Sequence, residues 1–98
     1  GMSLPTRAQL AQLASNLYVD SNGDAVTIGA TENKSNIKVK DEYKDNPPLT
    51  LGYSYWSSEE RTALSAYNRY FSTSNTNGND DNWNGKGNSS RRAICVSN

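Results

Sequence analysis

The chain has no histidine, one cysteine, one methionine and one phenylalanine, and its ten basic and ten acidic residues cancel. Each shortage closes a class of function. Without histidine the usual general acid and base of neutral pH is missing. Neither a Gly-x-Ser-x-Gly nucleophile elbow nor a phosphate-cradling loop stands in its place, so no enzyme is expected. A lone cysteine makes no internal disulfide, and with no histidine it anchors a metal poorly. Zero net charge removes the basic surface that nucleic acid requires; Arg91-Arg92 is a pair and not a patch. No apolar run approaches the ~20 residues of a membrane helix, and no secretory signal is recognisable.

What is present reads as one folded, loop-rich domain over 1–98. Hydrophobic residues make up 34% of the chain, below the ~45–50% usual in globular domains. The deficit is filled by Asn, Ser and Thr, since only 20% of residues are charged. Disorder normally couples low hydrophobicity with high net charge, and here the charge is zero. Two Trp and six Tyr supply packing material.

Thr6 and Gln9 have the spacing of a capping box. Leu10, Leu13, Ala14 and Leu17 follow at helical intervals, so a helix is expected over 7–17. Ser21-Asn22-Gly23-Asp24 is turn chemistry. Asp20, Asn22 and Asp24 imitate the start of a calcium loop, but the positions for its glycine and closing glutamate hold Ala25 and Thr31. A short strand is expected over 25–28 and a long surface excursion over 31–48. Strands are expected over 53–57 and 66–73, the second central because aromatics occupy both its faces. Between them, 59–64 reads as a helical turn or a loop. The tract 74–90 reads as an exposed polar loop, and 92–97 as a central closing strand built on Ala93, Ile94, Cys95 and Val96. Cys95 is then either a buried thiol of that strand or half of a bridge to a cysteine upstream of this chain.

Three anchors occur in order: Leu4-Pro5-Thr6 before a helix, Tyr55-Trp56-Ser57-Ser58, and Trp83-Asn84 in a polar tract leading to Ala93-Ile94-Cys95-Val96. Together they resemble the C-type-lectin-like domain of bacterial surface adhesins, at the tips of invasin- and intimin-type proteins and of collagen-like adhesins. The resemblance implies an α+β fold: a small antiparallel sheet, an N-terminal helix and long irregular loops. The family helix normally follows Gly-Trp-Arg where this chain has Gly1-Met2-Ser3, which leaves truncation at the N-terminus open. In the animal lectins a Trp-Asn-Asp signature helps to hold calcium and sugar; here Gly85 stands in the third position, and the companion Glu-Pro-Asn or Gln-Pro-Asp motif is missing.

The function so implied is extracellular adhesion. The module would bind a glycan or a protein on a host cell or matrix, and the export signal would lie upstream. It would insert in no membrane and bind no nucleic acid. Ligand contacts are expected from Asp80, Asp81, Asn82, Trp83 and Asn84, with Arg69 beside them. Trp83 could stack on a sugar ring or fold inward and pin the tract to the body. No cofactor is expected; calcium on Asp80, Asp81, Asn82 and Asn84 is the one metal option kept. A structural cap or oligomerisation domain of a longer surface or phage-tail protein is the alternative, and the oligomeric state is open.

Overall fold

The capping box expected at the head of the chain forms. In the computed structural model, which describes residues 1–73 and 79–97, the Thr6 hydroxyl accepts from the Gln9 N–H at 3.1 Å, and the Gln9 amide oxygen accepts from the Thr6 N–H at 2.9 Å. Helix α1 then spans Arg7–Leu17, as its spacing predicts. A third acceptor arrives from across the fold, where Glu59 takes the Arg7 N–H at 2.6 Å. The first-turn donors that a helix leaves unpaired are thus largely supplied by side chains. Leu10, Ala11, Ala14 and Leu17 form the buried stripe, and Leu13 lies at its flank.

Among the described residues the architecture is one α-helix and three small antiparallel sheets, an α+β domain. Strands β1 (Met2–Ser3) and β7 (Val96–Ser97) pair, as do β2 (Tyr18–Asp20) and β3 (Ile37–Val39). The main sheet has the order β4-β5-β6, from Tyr53–Thr62, Ser65–Phe71 and Asp81–Gly85. The core lies where α1 meets one face of that sheet. There Leu10, Leu17, Ile28, Ile37, Leu49, Tyr55 and Phe71 cluster, and Tyr55 meets Phe71 edge to face with centroids 5.7 Å apart. Tyr18 is fully buried and donates its hydroxyl to the Ser72 carbonyl at 2.7 Å. Burial pushes the Tyr18 phenol up to about 12.

Several local expectations are corrected. Over 25–28 only Ala25 makes a bridge, to Val19, because the Asp20 carboxylate collects the N–H groups of Asn22 and Asp24 and closes a tight turn on Gly23 (φ +85°). The excursion over 31–48 is not wholly irregular: it contains β3 and a 3-10 turn, Asp41–Tyr43. Residues 59–62 are strand and not helical turn. β4 advances four residues from Trp56 to Glu60 while β5 retreats two, from Asn68 to Ala66, so a bulge interrupts the alternation. A turn at Ala63-Leu64 then closes the hairpin, with the Thr62 hydroxyl accepting from the Leu64 N–H. Strand β5 is central, as expected.

The polar tract 74–90 is not all loop, since β6 forms inside it. Polar residues suit this position because β6 is the edge of the sheet, paired on one side only. The closing strand is corrected in the other direction. Arg92 makes a single parallel bridge to Tyr55, residues 93–95 belong to no strand, and Val96 pairs with β1 away from the main sheet. Cys95 is exposed and free, not a buried core thiol. The contact with the main sheet is limited to Arg92, which donates to the Ser54 carbonyl and accepts from the Trp56 N–H.

Candidate recognition surface

Strand alternation decides what each residue of β6 can do. Asp81 lies opposite Arg69 and Trp83 opposite Tyr67, all four on the face of the sheet that also meets α1; Asn82 and Asn84 point to the other face. Tyr70 donates its N–H to the Asp80 carbonyl, so residues 80, 82 and 84 exchange backbone hydrogen bonds with β5. The N–H groups of Asp81 and Trp83 therefore point outward along the free edge. Both are capped by side chains: Asn33 Oδ1 accepts from Asp81 N at 2.9 Å, and Asn82 Oδ1 from Trp83 N at 2.8 Å.

Arg69, expected beside the ligand, is interior. It is 1% exposed. Its guanidinium donates to the carbonyls of Gly29, Ala30, Glu32 and Asn79 and to Asn79 Oδ1, the last at 2.6 Å. Its Nε–H is buried without an acceptor. Burial holds its pKa below the ordinary arginine value, offset in part by Asp81 and Asp80. Arg69 thus fastens the 29–32 segment and Asn79 to the sheet and offers nothing to a ligand from solvent.

The other expected contacts are dispersed. Asp81 is held by Arg7 in a two-pronged ion pair, Nε to Oδ1 at 3.2 Å and Nη2 to Oδ2. That hydrogen bond raises the Arg7 guanidinium above its usual value, against some loss from burial. Asn84 Oδ1 already accepts from Asn68 and Arg91. Asn82 and Asp80 remain exposed. The four residues offered for calcium therefore divide between two faces, with Asp81 and Asn84 occupied by other partners. Among the described residues no three His, Cys, Asp or Glu converge.

Trp83 neither folds inward nor stands alone. It is 45% exposed. The Arg61 guanidinium, reaching across β5 from the far end of β4, stacks over the indole at 3.7 Å. Next to it the Arg7 guanidinium stacks over Tyr67 at 3.6 Å. The row Arg7–Tyr67–Trp83–Arg61 is a cation–aromatic surface at the end of the sheet that α1 does not cover. A third such pair, Arg92 over Tyr53 at 3.8 Å, lies at the opposite end of β4.

Arg61 and Arg7 were not foreseeable as site residues. The bulge in β4 decides which way Arg61 points, and only the register puts it on Trp83. On the reverse face of the sheet a cavity of about 310 Å³ is lined by Leu4, Trp56, Ala66, Glu60 and Lys86, and the last two form an ion pair at 2.9 Å. Among the described residues no helix is long and apolar enough to cross a membrane. No family model, curated protein or solved structure matches the chain.

Proposed function

We propose that this chain is a C-type-lectin-like recognition module of an extracellular or bacterial surface protein. It binds a glycan or a protein on a host cell or matrix through the strand that carries Trp83. One observation carries the reading: a tryptophan 45% exposed on an edge strand and held in place by Arg61 and Tyr67. Its exposure leaves about half of a large amphipathic side chain for contact from water. The rigid β5–β6 pair fixes its direction, which lowers the ordering cost of binding.

The α+β layout supports the resemblance, as does the order of Leu4-Pro5-Thr6, Tyr55-Trp56-Ser57-Ser58 and Trp83-Asn84 along it. The tail does not: residues 93–95 lie outside the sheet. The reading therefore rests on the indole and its setting more than on the closing segment. Screening on a glycan array and a pull-down on host matrix proteins test it together. A ligand lost with Trp83→Ala is the expected result; no ligand in either screen that depends on Trp83 would overturn the reading.

Leu64, 81% exposed at the tip of the β4–β5 hairpin and bonded through its carbonyl to Lys86 just after β6, favours the second reading. In that reading the same end of the sheet is an assembly surface of a cap or oligomerisation domain. Sedimentation equilibrium separates the two: a stable oligomer that falls apart with Leu64→Asp supports assembly, and a monomer supports recognition.

A further inference from the structure

Among the described residues, Arg61 is the one arginine of this surface that forms no ion pair. Arg7 is paired with Asp81, and Lys86 with Glu60. Among the described residues Arg61 stacks on Trp83 and has neither an ion-pair nor a hydrogen-bond partner. Its planar fork of donors is held flat against the ring. Stacking fixes the plane of a guanidinium and leaves its edge free, and that edge matches a carboxylate in bidentate geometry.

The same contact limits what Trp83 can do. One face of the indole is already occupied by the cation, so a neutral sugar ring cannot stack there without displacing Arg61. A ligand that brings a carboxylate to the guanidinium edge needs no displacement.

We infer that the Arg61–Trp83 pair is a subsite for a carboxylate-bearing sugar of an acidic glycan. This rests on the recognition reading above and narrows its ligand. A glycan fits better than an acidic peptide because little apolar area surrounds the pair. Leu64 and Trp83 are the large exposed apolar residues of this end, whereas a protein interface is built round a broader apolar core.

The test is calorimetric titration of the 98-residue chain with uronate oligosaccharides, their methyl esters and oligoglutamate. The esters keep the sugar backbone and remove its charge. Uronates are expected to bind, and the esters to bind at least about tenfold more weakly. Arg61→Gln should lower uronate affinity by about tenfold, Arg61→Lys should lower it less, and Trp83→Ala should abolish it, with thermal unfolding confirming that each variant is folded. Equal binding of uronate and ester, or uronate binding indifferent to Arg61→Gln, overturns the carboxylate subsite and leaves recognition through Trp83 standing. Oligoglutamate binding more tightly than any uronate overturns it in favour of an acidic peptide. Failure of all these probes overturns it as well; a Trp83-dependent ligand in the array or pull-down would then preserve the broader reading, and its absence would end both.

Discussion

The two ends of the β4-β5-β6 sheet cover their aromatic residues by different means. Beneath α1, Tyr55 and Phe71 are enclosed by Leu10, Leu17, Ile37 and Leu49. Past the first turn of that helix, Tyr67 and Trp83 lie on the same face of the same sheet, and guanidinium groups cover them, as Arg92 covers the exposed Tyr53 at the margin of the first end. An apolar cover excludes water and contributes most of the stability. A cationic cover leaves the ring partly wet and contributes about 0.5–1 kcal/mol at an exposed site. The first end is closed, and the second leaves Trp83 45% exposed. Buried Arg69 marks the boundary between them.

If that division is right, Phe71→Ala at the apolar end should be the most damaging change, costing about 4 kcal/mol in urea unfolding through lost transfer energy and a cavity. A loss under ~1 kcal/mol would mean the core is not centred there. Arg69→Met should cost about 3 kcal/mol, because it strips the part-buried carbonyls of Gly29, Ala30 and Glu32 and the buried carbonyl of Asn79 of their donor. It should also raise amide exchange in 29–32 before the rest of the domain. Exchange unchanged in that segment would remove Arg69 from its place at the boundary.

The buried Tyr18 phenol gives the apolar end a pH signature. Its pKa is raised in the fold, to about 12, so the neutral form is favoured there. The associated stability is complete below the unfolded value near 10 and declines as pH rises through the folded value, by up to about 3 kcal/mol. Comparing the wild type with Tyr18→Phe between pH 9 and about 12 isolates this part, since the variant should show a correspondingly shallower decline. At the other end, Arg61→Gln should change stability by less than about 1 kcal/mol while altering Trp83 fluorescence. A larger loss of stability would make that end structural and erase the contrast.

Helix α1 was legible in the sequence because its signals are local: Thr6 and Gln9 at capping distance, then leucines and alanines on one stripe. Central β5 was legible because aromatics on both faces demand partners on both sides. Strand β6 was hidden by composition, since Asp, Asn and Gly read as turn formers until an edge position makes their polarity appropriate. The apolar tail misled for the opposite reason: hydrophobicity measures the wish to be buried, and the β1 pairing together with the Arg92 bridge decided where Ile94 and Cys95 went. At the candidate surface, the exposure of Trp83 was one of two readings open in the sequence. Its partners Arg61, Tyr67 and Arg7 come from three different elements, and register alone assembles them. Arg69 looked like a surface residue because nothing in its neighbours reveals five carbonyl and amide oxygens converging on it from 29–32 and Asn79.

The outward N–H groups of the β6 edge, filled by Asn33 and Asn82, carry a consequence for life in a crowded setting. An open strand margin is a template on which a second chain can lay itself down, and such growth ends in insoluble fibres. Here two amide side chains occupy the pairing positions in advance. A second copy that meets this margin finds its two outward N–H donors already taken.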